Sequence, residues 1–246
     1  MAGISAKIHK WLALLMAIQI LFWFASGLFF AAFPIERVRS EHAVAQSAAP
    51  PLPFGIAADG LLRLGSAGVT GERIEIRTLM RRPVALVAQG EARPRLFDLA
   101  TGEPLSPMPM GLAVRIAEAD HKGEARAARV ERIETHSTEY RGPIPAWRVD
   151  FDDGAERSLY VSADTGAVTA RRSQLWRVYD FLWGLHIMDW RGHEDFNSPL
   201  LVIFTALGLI VIVTGFILFP SRLGYTAWRR RRKRGRVLAG QEQAAG

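Results

Sequence analysis

Two stretches without a charged side chain, Trp11–Phe33 and Pro199–Phe219, constrain this chain more than any other feature. As helices rising about 1.5 Å per residue, each is roughly 30–35 Å long, the thickness of a bilayer's hydrocarbon core. A chain of 246 residues that crosses a membrane twice keeps residues 34–198 between its spans, enough for one ordinary domain. The chain has no cysteine. Disulfides, thiolate metal sites and thiol nucleophiles are therefore excluded, and the compartment of the middle segment has to be read from charge.

The net charge of +7 is unevenly placed. Residues 1–10 carry Lys7 and Lys10, and residues 220–246 carry Arg222, Arg229, Arg230, Arg231, Arg232, Lys233, Arg234 and Arg236 against Glu242 alone, so everything between the tails is net acidic. Positive flanks stay on the cytoplasmic side. Both termini are expected in the cytoplasm and the middle outside it, in a bacterium the periplasm. The run Arg229–Arg234 reads as a topology anchor in contact with lipid headgroups rather than as a nucleic-acid site.

The first span is longer than the 7–15 apolar residues of a signal peptide's core and is crowded with Phe and Trp, so it reads as a retained anchor. Gln19, Ser26, Thr205 and Thr214 are the polar side chains of the two spans. Transport through the bilayer has little to work with. Gly208 and Gly215 lie seven apart on one face of the second span, where a helix can approach closely. Packing of the two spans on each other is the simpler reading, and a homodimer the alternative.

A small-residue and proline stretch with Pro34, Pro50, Pro51 and Pro53 reads as an extended linker. The domain beyond it contains an internal repeat. Both copies open with Glu-Arg-Ile-Glu (72–75 and 131–134), carry a central proline (Pro83, Pro143) and close on Thr-Gly (Thr101-Gly102, Thr165-Gly166). Alternating runs predict strands at 74–79, 84–88 and 95–99 in the first copy and at 130–137, 146–151 and 158–163 in the second. A helix precedes each set, at 56–64 and 112–119. The expected fold is α+β, two helix-plus-antiparallel-sheet repeats flanked by transmembrane helices. Its parts are tail 1–10, span 11–33, linker 34–53, tandem domain 54–172, interfacial aromatic helix and loop 173–198, span 199–219 and basic tail 220–246.

Trp147-Arg148-Val149-Asp150-Phe151 followed by Leu159-Tyr160-Val161-Ser162-Ala163-Asp164-Thr165-Gly166-Ala167-Val168 resembles the end of a PepSY domain. Ile8-His9-Lys10-Trp11-Leu12, opening an apolar helix, and Asp180-Phe181-Leu182-Trp183-Gly184-Leu185-His186, before a final helix ending Thr214-Gly215-Phe216, resemble the PepSY-associated transmembrane family. The resemblance implies a small α+β fold linked with peptidase inhibition or local regulation. It also implies larger relatives, with more spans, that resemble haem-containing reductases of ferric siderophores; this chain departs from them in having two.

A membrane b-type haem needs two imidazoles at similar depth. His9 lies at the cytoplasmic mouth of the first span, while His186 and His193 lie at the opposite surface, so His9 and His186 cannot bracket one haem within one chain. Haem ligation by His9, His186 or His193 would need pairing of His186 with His193, a dimer or a second protein. With Gln174–Trp190 drawn as a helix, His186 shares a stripe with Tyr179, Trp183 and Trp190. That stripe and Trp176 fit the aromatic belt of a membrane interface. His42, His121 and His136, without metal-ligand spacing, are expected at the solvated surface.

No phosphate loop, dinucleotide fingerprint, zincin motif or nucleophile elbow occurs. Asp152-Asp153 reads as a turn, and Glu194-Asp195 as capping the second span. The expectation is therefore a non-catalytic binding or regulatory module of the bacterial inner membrane, without a cofactor. Its expected partners are lipid and a periplasmic peptide, a peptidase or another membrane protein. The alternative is a haem-bearing electron-transfer subunit.

Overall fold

The computed structural model describes residues 2–45 and 51–222, and side chains for 6–45 and 51–220. The expected anchor Arg229–Arg234 lies outside the described residues. The chain divides into two units, residues 1–29 with 182–246, and residues 30–181.

The first unit is built on two long helices, α1 (Ala2–Ala32) and α6 (Pro199–Arg222). Of these, Ala6–Ala32 and Pro199–Pro220 are long and apolar enough to cross a membrane. Most of their large side chains are uncovered by protein, Phe24 at 75 % and Phe216 at 74 % exposure, which no core helix of a water-soluble domain would tolerate. The glycine face of α6 is turned to α1. A Cβ on Gly208 would stand 3.6 Å from Met16 and Trp23, and one on Gly215 would stand 3.2 Å from His9. The small residues thus serve the seam within the chain.

The second unit holds the α+β domain, and the repeat is structural. α3 (Phe54–Ser66) precedes an antiparallel meander of β1 (Arg73–Leu79), β2 (Arg82–Ala88) and β3 (Arg95–Asp98). α4 (Met110–Asp120) precedes a second meander of β4 (Ala127–Ile133), β5 (Ala146–Phe151), β6 (Ser158–Ser162) and β7 (Val168–Arg172). The two Thr-Gly turns are built alike. The Thr101 and Thr165 hydroxyls accept the amides of Glu103 and Ala167, and the Gly102 and Gly166 amides donate to the carbonyls of Asp98 and Ser162. Both glycines take left-handed φ, 82° and 71°, which explains their choice.

Strand alternation assigns each face of the first sheet to its own layer. Ala85, Val87, Phe97 and Leu99 face Ala57 and Leu64 of α3. Val84 and Leu96 share the main core with Leu112, Ala113, Ile116 and Ala117 of α4 and with Val149, Phe151, Leu159 and Val161 of the second sheet. The Trp147 indole pins this core by donating to the Met108 carbonyl at 2.8 Å.

Four expectations need correction. The strand 130–137 ends at Ile133, because residues 134–145 leave the sheet, and Tyr140 of that segment stacks on Tyr160 with ring centroids 4.4 Å apart. β7, at Val168–Arg172, has no counterpart among the strands that alternation predicts. The linker is not uniformly extended: α2 (Ile35–Val38) and a 3-10 turn at Glu41–Ala43 come first, and Val44 then bridges to His121. Finally, His121 is buried rather than solvated, stacked on Phe151 at 4.6 Å.

Candidate functional site

The sequence-derived site residues sort into separate places. His9 faces α6 from the start of α1: its Nδ1 lies 3.1 Å from both the Val211 carbonyl and the Thr214 hydroxyl. His9 and Thr214 thus pair across the two spans, as hydrocarbon favours.

His186 is the last residue of α5 (Gln174–His186). Its Nδ1 is 2.7 Å from the Ser26 hydroxyl, and its carbonyl accepts the Trp23 indole at 2.8 Å, which caps the helix end. Burial holds the His186 imidazole below its ordinary pKa, favouring the neutral form. Trp183 lies parallel to it, 6.4 Å between centroids, and meets Phe196 edge-on. Trp23, Trp183, His186, Phe196 and Thr205 wall a cleft of about 440 Å³.

The three histidines do not converge on one iron within one chain. Ser26 and His9 are seventeen residues apart on α1, about 25 Å along its axis. A Cβ on Gly184 would stand 2.6 Å from the His193 Nε2, so the His193 ring rests on the Gly184 side of α5. Gly184 and His186 are two residues apart and point to nearly opposite sides of a helix. The residues present do not fit a haem held by a single copy.

The expected stripe through Tyr179, Trp183, His186 and Trp190 is broken before its last member. α5 stops at His186, Met188 turns left-handed at φ 57°, and Trp190 stands exposed in the loop beyond. Trp176 lies under the Arg172 guanidinium at 4.1 Å, and Tyr179 meets Phe30 at 4.6 Å. Sequence reasoning missed Asp189, whose carboxylate gathers the amides of Arg191, Gly192, Glu194 and Asp195. Those bonds hold it far below the usual carboxylate range. Ser198, not Glu194 or Asp195, caps α6 by accepting the Leu201 amide.

In the second unit the functional geometry lies in the sheet edges. β3 is closed by its own continuation: Asp98 donates to Glu103, Leu105 donates to Leu96, and the Ser106 hydroxyl takes the Leu96 amide. Beside β7, Arg172 donates to the Glu139 carbonyl, and Tyr140 bonds Thr169 at 2.9 Å. β4 is an edge broken by a register shift between Ala127 and Arg129 and laced by the pairs Arg129–Glu131 and Arg132–Glu134. β1 shows neither device among the described residues, though Arg73, Glu75 and Arg77 place charges along it. It runs in unbroken register against β2 from Arg73 to Leu79, is hydrogen-bonded to a strand on one side only, and shows Ile74 half exposed.

Among the described residues no group of three or more His, Asp or Glu side chains is placed to hold a metal ion. Asp153, at the turn after β5, has a structural role: it accepts the Ala155 and Arg157 amides and the Arg157 guanidinium. Burial alone would raise its pKa, and the bonds from Arg157 outweigh that and lower it.

Two spans around a twice-repeated helix-and-meander domain define a membrane-associated α+β module. A family model described as the PepSY-associated TM region matches residues 6–239. The chain belongs to that family, as its terminal and Thr-Gly motifs suggested, and is a membrane protein carrying a PepSY-type module. No curated protein and no solved structure matches it.

Proposed function

We propose that this chain is a non-catalytic docking module of a bacterial inner membrane, with residues 54–172 in the periplasm and both termini in the cytoplasm. In this reading the β1 edge takes an extended peptide segment of a partner by strand addition. The open β1 edge carries it: unprotected edges invite pairing, and the other three edges of the domain are blocked or broken. Lys7, Lys10 and Arg229–Arg234 support the orientation. Anchoring at both ends raises the effective concentration of the edge toward membrane-bound partners, so weak pairing suffices.

A photo-crosslinking residue at Glu75 in β1, with Glu131 in β4 as control, tests this in cells. Adducts at position 75 that exceed those at 131 and fall with Ile74→Lys are expected. Equal or absent adducts at 75 refute strand addition at β1.

The cleft beside His186 favours a second reading, a haem-bearing electron-transfer subunit whose second imidazole comes from another copy or protein. Its signature is a Soret band lost in His186→Ala. Colourless protein from haem-supplied cells removes it.

A further inference from the structure

A cleft of about 260 Å³ in the second unit lies between the segment following Pro34, the turn after β5, and the first turn of α5. Arg37, Ser40, His42, Arg157 and Leu175 line it, and no carboxylate does. Ser40 is the unusual member. It sits left-handed at φ 59°, is 1 % exposed, and its hydroxyl is buried with no hydrogen-bond partner among the described residues. A buried hydroxyl without a partner is destabilising, so its retention at a cavity wall points to a ligand that satisfies it.

The surrounding donors state the sign of that ligand. Arg157 gives one guanidinium nitrogen to Asp153, while its Nε is buried and unpartnered among the described residues. Arg37 is exposed and makes no ion pair among the described residues. In the first turn of α5, the Gln174 amide donates to Ala155, and the Trp176 and Arg177 amides donate to Ser173. Leu175 of that turn lines the wall, on the positive end of a thirteen-residue helix. Two guanidiniums, a hydroxyl and a helix amide around a small cavity suit a tetrahedral oxyanion.

We infer that this cleft is a phosphate-binding site, held by Arg37, Arg157, the Ser40 hydroxyl and the Leu175 amide. The phosphate has two chemical sources. Arg37 follows Ala32, the last residue of the first span, by five residues, so the chain allows no more than about 17 Å between them, within reach of a lipid headgroup. The other source is a free phosphate or phosphorylated solute.

The test titrates inorganic phosphate into the full-length protein and reads the thermal transition, with chloride at equal ionic strength as control. Titrations run in detergent, in discs of phosphate-free galactolipid and in discs of phospholipid. The wild-type transition is expected to rise with phosphate in detergent and galactolipid. Arg37→Gln should raise the half-saturating concentration at least tenfold. Ser40→Ala should abolish much of the response while leaving the phosphate-free transition unchanged or higher, since it removes an unsatisfied hydroxyl. A response that vanishes in phospholipid discs identifies the headgroup as the source, and one that persists identifies a soluble phosphate. No response in detergent and galactolipid, or equal responses from wild type and both variants, overturns the inference. Arg157→Lys, which keeps the charge beside Asp153, is the second variant should Arg37→Gln fold poorly.

Discussion

Replacing glycine by alanine twice in α3 should move stability in opposite directions, although helix propensity alone predicts the same sign for both. A Cβ on Gly60 would stand 2.6 Å from the Leu99 Cβ and 2.8 Å from the Leu99 Cα, with the Leu99 carbonyl oxygen closer still. Ordinary contacts begin near 3.4 Å, so the helix must retreat by about 1 Å, lifting Ala57 and Leu64 off Ala85, Val87 and Phe97. Leu99 opposes with backbone as well as side chain and cannot swing aside. Overpacking costs about 1–3 kcal/mol, and the upper end applies here. Alanine returns roughly 0.5–1 kcal/mol of propensity, leaving Gly60→Ala destabilised by about 2 kcal/mol. Gly65, one turn further on, meets nothing within 4 Å. There Gly65→Ala should stabilise by about 0.5 kcal/mol, the low end because it lies in the last turn. For a domain of this size about 1 kcal/mol moves the transition by roughly 2–4 °C. Scanning calorimetry of the full-length protein in detergent should therefore show Gly60→Ala down by about 4–8 °C and Gly65→Ala up by about 1–2 °C. Shifts of the same sign would refute the direct seating of α3 on Leu99.

The β1–β2 hairpin turns on Met80 and Arg81, both left-handed at φ 48° and 65°, a conformation costing roughly 1–2 kcal/mol per residue without Gly or Asn. Asn at 80 with Gly at 81 should raise the calorimetric midpoint by several degrees, and an unchanged or lower midpoint would argue against that turn. Burial lowers the His121 pKa below 6.5 despite Asp153 at 3.7 Å, so its stability contribution is complete above pH 6.5 and is lost as pH falls through the folded-state value. Midpoints measured from pH 7.5 to 5 should fall, by at most about 1.4 kcal/mol per pH unit for a single group, and His121→Gln should flatten that slope; an equal slope in the variant denies His121 the role. Because the chain has no cysteine, single cysteines report topology without background. A membrane-impermeant maleimide should label Glu103→Cys in intact spheroplasts and Gln243→Cys only after lysis, and the reverse pattern would invert the orientation.

Much of the fold was legible because its signals are local. Uncharged length marks the spans, alternation marks five of the seven strands within a residue or two, and Thr-Gly marks the turns that close each repeat. What was missed depends on distant partners or on residues that break a rule. Nothing near His121 shows that Phe151 covers it or that Val44 pairs with it. Met80-Arg81 lacks the glycine or asparagine that announces a tight hairpin. Met188 turns the chain out of α5 where a helix stop is usually a glycine, so the sequence pattern alone continues the aromatic stripe to Trp190. Of the sites, the three histidines were visible as residue types, while the open β1 edge and the Ser40 cleft exist only once the strands are ordered and the segment after Pro34 is folded.

The repeat itself isolates β1. After each Thr-Gly turn the chain doubles back along the strand it has just left: β7 pairs with β6, and Glu103–Ser106 follows β3 through the Phe97–Pro104 bridge. That return covers the β3 edge of the first sheet and adds β7 as the outer strand of the second, flanked by Glu139 and Tyr140, and it leaves β1 and β4 as equivalent edges on the other side. Two copies of one design would be expected to guard these equally, since an exposed edge is an aggregation hazard. Only β4 carries the register break and ion pairs that make an edge unreceptive. Its counterpart keeps seven residues in regular register and an exposed isoleucine. An asymmetry set against the internal symmetry is the kind of departure that function selects, and it singles out β1 for the docking role proposed above.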